Sequence, residues 1–175
     1  FMIAVTSTNS SDNLAHRGYG ATSIDVGAPG EDIYSTRTND SYNDDSGTSF
    51  ASPQVAGIIT LMYASLCSEY ISAYDSNPDD LALTIKNNLF DGADDILGNN
   101  VAHGRANAYN AIQYAVDKQL QGIVDEDQNF LSCSVTFDDV DVQNNSDIIA
   151  KFFNNFNAIG TLDIPVGSRV LIAPE

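Results

Sequence analysis

The string Ser46-Gly47-Thr48-Ser49-Phe50-Ala51-Ser52-Pro53-Gln54-Val55-Ala56-Gly57 leads into the densest apolar stretch of the chain. It sets a hydroxyl, that of Ser49, at the entry to a helix. The first backbone N–H groups of a helix have no intrahelical partner, and the helix dipole is positive there. An oxygen that gains negative charge during a reaction is stabilised at such a place. Gly47 permits a tight turn and close approach of a substrate. Pro53 is tolerated because the first turn needs few N–H donors. The small residues Ala51, Ser52, Ala56 and Gly57 let the helix pack tightly beneath. The plainer reading of Ser49 is an N-cap, the ordinary place for a serine before a helix.

Two other residue types could do chemistry. Asp125-Glu126-Asp127-Gln128-Asn129 begins like a calcium loop, but Phe130 stands where the sixth position needs glycine and Thr136 where the twelfth needs glutamate, so no EF-hand is present. Asp138-Asp139-Val140-Asp141 reads as a solvated acidic turn rather than a cation site. No metal is assigned. The histidines His16 and His103 lack any motif context and read as surface residues.

The elements that must position Ser49 follow from pattern. Phe1–Val5, Ser23–Val26 and Asp32–Thr36 read as short strands, with Thr6–Asp12 a polar loop and Gly27-Ala28-Pro29-Gly30 a closing breaker. Thr38–Ser46 reads as a hairpin loop. From Phe50 to Leu66 the residues Val55, Ile58, Ile59, Met62 and Leu66 recur at helical spacing, and a helix apolar on nearly all sides belongs in the centre of a core. Asn77-Pro78-Asp79-Asp80 starts another helix, with Leu81, Ile85 and Leu89 on one face. Ala106–Val116 is a third, with Tyr109, Ile112 and Val116 on one side. Beyond about Asp117 the character changes. Gln119–Asn129 is a polar connector, and Leu131–Phe137 alternates with period two. Ile159–Ile172 holds two β-like runs around Val166-Gly167-Ser168-Arg169, where a Gly-Ser pair fits a type II′ hairpin. No internal repeat is visible.

Of the 175 residues, 24 are Asp or Glu and 7 are Lys or Arg, a net charge of −17. So acidic a surface repels phosphate backbones and anionic lipid, which argues against nucleic acid and membrane-surface partners. With 43% hydrophobic residues there is enough apolar material for a core, which argues against global disorder. The longest apolar run, Val55–Ala64, is far shorter than the ~20 residues of a membrane span. No signal peptide pattern opens the chain; it starts on a strand-like run, so an upstream part is expected to be missing. Cys67 and Cys133 either form one disulfide, which suits an exported protein, or are two unrelated buried thiols.

Gly47-Thr48-Ser49-x-Ala51-Ser52-Pro53-x-Val55-Ala56-Gly57 resembles the nucleophile motif of the subtilisin-like serine peptidases at all nine fixed positions. Phe50 and Gln54 fill the two variable ones, where the family often has Met and His. Asp25-Val26-Gly27-Ala28-Pro29-Gly30 through Ile33 and Ser35-Thr36 resembles a second family segment, and Gly104 to Ala111 the closing helix. The resemblance covers residues 1–117. It implies an α/β, subtilisin-like three-layer fold with a parallel sheet, incomplete here. Residues 118–175 lie beyond the resemblance and read as an acidic linker and small β-rich extension, itself expected to be truncated.

The resemblance further implies a serine endopeptidase in which Ser49 attacks the peptide carbonyl. The Ser49 N–H would donate to the oxyanion, Thr48 would be an auxiliary hydroxyl donor, and Asn43, Ser46 and Gly47 would line the leaving-group side of the cleft. Asp25 matches a position near a monovalent-cation site of some relatives, but its carboxylate partner falls on Ser23, so a loop-capping carboxylate is the better reading. The catalytic Asp and His and the oxyanion Asn would come from upstream sequence. A serine without a base is a poor nucleophile, so these 175 residues alone are expected to be inactive. No cofactor is implied in this sequence; calcium, common among relatives, would belong to the upstream region. The implied partner is a protein or peptide substrate, and the implied location is outside a bacterial cell, secreted or at its surface. Without the upstream part, Ile3, Val5, Val26 and the central helix would expose apolar surface. The alternative is a non-catalytic secreted or surface binding module on a subtilisin-like frame.

Overall fold

The computed structural model describes residues 2–15 and 18–174. His16 therefore lies outside the described residues. The chain divides into two compact units: Phe1–Ala64 with Ala82–Ile112, and Ser65–Leu81 with Gln113–Glu175.

The first unit holds a parallel sheet of β1 (Val5–Thr8), β2 (Val26–Pro29) and β5 (Gly104–Arg105), with β2 in the middle. Val5 pairs with Val26 and Thr8 with Pro29. The strands sit three to four residues later than hydropathy places them. Thr6, Ser7 and Thr8, expected in a polar loop, are strand residues with no solvent exposure. Their small, partly β-branched side chains fit a sheet covered on both faces. The Thr6 and Thr8 methyls lie beside Gly27, where an added Cβ would meet them and Leu97. Likewise Gly27-Ala28-Pro29 is strand, not breaker, because β2 is central and Pro29 is its last residue. Val26 is fully buried, against the expectation that it would be exposed.

An antiparallel hairpin follows: β3 (Ile33–Arg37) and β4 (Ser41–Asp45), with Tyr34 opposite Asp44 and Thr36 opposite Tyr42. The expected loop over 38–46 is thus mostly the second strand. Helix α1 (Thr48–Ser65) comes next. It buries Ala51, Val55 and Met62 but leaves Gly57, Thr60 and Leu61 exposed. The central helix thus exposes apolar surface, as expected of it without an upstream part: the described residues cover one side only. Its open side borders an apolar hollow of about 570 Å³ lined by Ala28, Pro29, Gln54, Ile58, Leu61 and Ala106 among others. Helix α3 (Pro78–Asp91) buries Leu81, Ile85 and Leu89 as their spacing requires. In α4 (Ala108–Val116) the buried side is Ala111 and Ala115, while Tyr109 is 72% exposed. The small side wins because Gly92 approaches so closely that a Cβ there would lie 2.7 Å from the Ala111 nitrogen.

The second unit carries the short helix α2 (Ser68–Ala73), which hydropathy does not show, and a four-stranded sheet. Its strands are β6 (Asp117–Val124), β7 (Gln128–Val142), β8 (Asp147–Asp163) and β9 (Arg169–Pro174), and every neighbouring pair is parallel. The Gly167-Ser168 hairpin is therefore not formed. Parallel strands need a crossover of a dozen or more residues, yet only 125–127, 143–146 and 164–168 lie between these. The strands themselves are the crossovers. The start of β7 pairs with the start of β8, while its second half, Ser134–Asp141, pairs with β6 on one side and Asn155–Asp163 on the other. Each long strand is thus a bent rung stacked on the rung before it. Gln119–Val124 is rung and not connector, with Leu120 and Val124 turned into the core. Leu120, Val135, Phe137, Val140, Val142, Ile148 and Ala150 fill the interior between rungs. Asp138–Asp141 lies in β7, not in a turn. Cys67 and Cys133 are disulfide-bonded, with Cα atoms 5.9 Å apart. This resolves the alternatives the sequence leaves open.

Candidate active site

The site is built on the turn between the hairpin and α1. Gly30, just past β2, donates its N–H to the Thr8 carbonyl at 2.9 Å and accepts from the Gly47 N–H at 2.7 Å. That pair of bonds fixes the turn before α1 to the end of the parallel sheet. The approach is close: a Cβ on Gly30 would lie 2.6 Å from the Ser7 Cβ and 2.8 Å from the Gly47 carbonyl oxygen. Ser46 Oγ accepts from the Asp32 N–H at 2.9 Å, and the Ser46 N–H donates to Asp45 Oδ1 at 2.9 Å. Gly47 offers its carbonyl to the Phe50 N–H at 3.0 Å, which opens α1.

Helix α1 begins at Thr48, so Ser49 is its second residue and not its cap. Thr48 and Ser49 are both exposed. Their N–H groups belong to the first turn, which has no carbonyl one turn back to bond. An exposed hydroxyl therefore stands beside donors at the positive end of an 18-residue helix. Gln54, one turn on, donates its side-chain amide to the Pro29 carbonyl at 2.7 Å and ties the helix to the sheet end.

The other residues singled out by the sequence are placed as follows. Gly47 and Ser46 form the turn itself, so Ser46 spends its hydroxyl on the Asp32 N–H. Asn43 lies in β4 opposite Ser35 and is exposed. Asp25 Oδ2 accepts from the Ala4 N–H at 2.7 Å, as a capping carboxylate does. His103 is exposed and stacks on Phe90, ring centroids 4.0 Å apart.

In one further cluster Arg105 and Asn107 fall within the Gly104–Ala111 segment, while their acidic partners have no signature in the sequence. Arg105 pairs with Asp12 and with Asp94, the latter at 2.7 Å, and Asn107 donates to the same Asp94 carboxylate. Asn107 Oδ1 in turn accepts the Asn110 N–H at 3.1 Å and caps α4. The Arg105 hydrogen bond holds the Asp94 carboxyl below the usual carboxylate range. Charge sign is the only available signal, and it cannot pick out Asp12 and Asp94 from 24 acidic residues. This network orders the loop between α3 and α4.

Known proteins share this segment. The chain is 40% identical over 114 residues to thermitase of Thermoactinomyces vulgaris, covering 64% of this chain and 36% of that protein. It is 37% identical over 115 residues to the thermophilic serine proteinase of Bacillus sp. (strain AK1), covering 65% and 25%. The chain thus spans about a third or less of these relatives. Among solved structures it resembles the prenylagaramide maturation protease PagA, with TM-score 0.52, 23% identity, and 65% of this chain and 42% of that chain covered. The self-cleaved protease domain of PatA aligns with TM-score 0.51, 24% identity, and coverage of 65% and 41%. At these identities the structures speak to the fold, a mixed α/β arrangement with a parallel sheet. The pattern of the subtilase family matches residues 1–127. That span takes in the helix-start serine, the strand ends that hold it and most of the chain's length, and on this ground the chain belongs to the subtilase family.

Proposed function

We propose that this chain supplies the nucleophile segment of a serine endopeptidase, with Ser49 as the residue that forms the acyl-enzyme. The observation that carries the reading is the position of Ser49: exposed, one residue inside α1, next to first-turn N–H groups. In the reaction Ser49 Oγ bonds to the substrate carbonyl carbon and its proton passes to an imidazole. The C–N bond then breaks, the amine leaves with that proton, and water releases the acyl group. The Ser49 N–H and the Thr48 hydroxyl face the developing oxyanion. The imidazole, its carboxylate and a further amide donor come from sequence upstream of these residues. The same upstream part covers the open side of α1. The Cys67–Cys133 disulfide supports placing the protein outside the cell.

Fluorophosphonate labelling tests this. The full-length protein is expected to react at Ser49, and S49A to lose both labelling and about 10⁶-fold in kcat, the loss that follows removal of the nucleophile in subtilisin itself. Because Ser49 is exposed, S49A should leave the melting temperature within about 1 °C. The 175 residues alone should not label. Failure of the full-length protein to label would return the chain to the binding-module reading, and rapid labelling of the 175 residues alone would show that the base lies within them.

A further inference from the structure

Hairpin β3–β4 turns two tyrosines out of the protein next to the nucleophile turn. Tyr34 is 70% and Tyr42 59% exposed, and their rings stack with centroids 5.9 Å apart and planes 20° apart. The register sets Tyr34 opposite Asp44 and Thr36 opposite Tyr42, so these four side chains share one face. The other face carries the Arg37–Asp45 ion pair, which neutralises Asp45 and leaves Asp44 as the carboxylate beside the rings. The chain leaves β4 at Asp45 and reaches Ser49 four residues later, a span of at most about 14 Å. The Asp32–Ser46 and Gly30–Gly47 bonds hold the root of the hairpin on the turn that carries Ser49. A polypeptide lying extended across Ser49 advances about 3.3 Å per residue. Residues roughly two to five positions from the scissile bond therefore pass the hairpin.

We infer that Tyr34, Tyr42 and Asp44 form a subsite for a cationic side chain of the polypeptide substrate. A Lys or Arg stem lies along the rings, its charge over a ring face and against the Asp44 carboxylate. The net charge of −17 draws the same side chains toward the protein over a longer range. A glutamate at that position meets Asp44 with like charge. The subsite rests on Ser49 being the nucleophile and adds a residue class to that reading.

The test uses the full-length protein and quenched-fluorescence peptides that differ at one position, carrying Arg, Ala or Glu, with that position walked from about two to five residues on each side of the cleaved bond. At one position the Arg-to-Glu ratio of kcat/KM is expected to reach about tenfold, carried by KM. In D44N and in Y34A/Y42A that ratio should fall toward one. Fluorophosphonate labelling at Ser49 is read in parallel, because the reagent carries no peptide. A ratio that persists in variants that still label would overturn the subsite while leaving the nucleophile standing. Loss of labelling in the parent protein would overturn both.

Discussion

Gly30 holds the Gly47–Ser49 turn against the sheet because it has no side chain. Three groups crowd the place of its Cβ: the Ser7 Cβ at 2.6 Å, the Gly47 oxygen at 2.8 Å and the Ala51 Cβ at 3.1 Å. Two belong to backbone or to a buried strand, so they cannot swing away. G30A is expected to cost about 1–3 kcal/mol through overpacking. It should also slow labelling of Ser49 in the full-length protein, since the turn moves with the Gly47 carbonyl. Thermal melting and labelling rate check the two parts; a variant with the parent's melting temperature would show that the sheet end yields. At this scale the sequence is most readable. The site motif is local, so the order of Gly47, Thr48 and Ser49 already implies a turn and a helix start. What it hides are the partners. Ser46 reads as a cleft residue, yet its hydroxyl bonds the Asp32 N–H fourteen residues away. Nothing in either residue type announces that pairing.

The elements are legible by type more than by position. Hydropathy places β1 and β2 too early because Thr6, Ser7, Thr8 and Gly27, buried strand residues, score as loop. In a small parallel sheet the limiting quantity is space, and these side chains fit where larger apolar ones would not. The same rule governs α4, whose alanines face inward and whose Tyr109 faces out. The Arg105 network shows an element held by charge instead of bulk. Asp94 bonds Arg105 and Asn107 with its side chain and exchanges both backbone hydrogen bonds with Arg105. Its folded pKa lies below its unfolded value. Asp94 therefore stabilises the fold above the unfolded value of about 3.9, and that contribution is lost as pH falls through the depressed folded value. R105M removes the cause. It should cost about 1.5–3 kcal/mol at neutral pH and flatten the dependence of melting temperature on pH below about 4. Melting curves from neutral pH down to about pH 2 measure this, and an acid slope equal to the parent's would show that other carboxylates carry the acid transition.

At the scale of the whole chain, the second unit is the least legible part. Its rungs stack with offsets that drift: Asp117 on Ser134, Gln128 on Ile148, Asp147 on Arg169. No fixed period survives such drift, so no repeat shows in the sequence. The irregularity sits where the rungs bend, at Gly122, Asp139 and Gly160, whose φ values of 70°, 46° and 72° are left-handed. A Cβ on Gly160 would collide with Asp139 Oδ1, so the bend residues of neighbouring rungs are in direct contact. The Cys67–Cys133 bond joins the residue before α2 to the first of these long rungs and closes a loop of 66 residues in sequence. That loop contains α3, β5 and α4, and with them the whole second pass of the chain through the first unit, Ala82–Ile112. Constraining so long a segment in the unfolded state contributes about 4 kcal/mol on chain-entropy grounds. C67A/C133A should therefore melt well below the parent, and reductant should lower the parent's melting temperature toward the variant's without moving the variant. The variant also loses a little packing at Cys133, which is buried beside the core of the rungs, so reduction of the parent is the cleaner arm. If reduction left the melting temperature in place, the loop would already be as restricted in the unfolded chain as the disulfide makes it, and the hold between α2 and the rungs would come from packing alone.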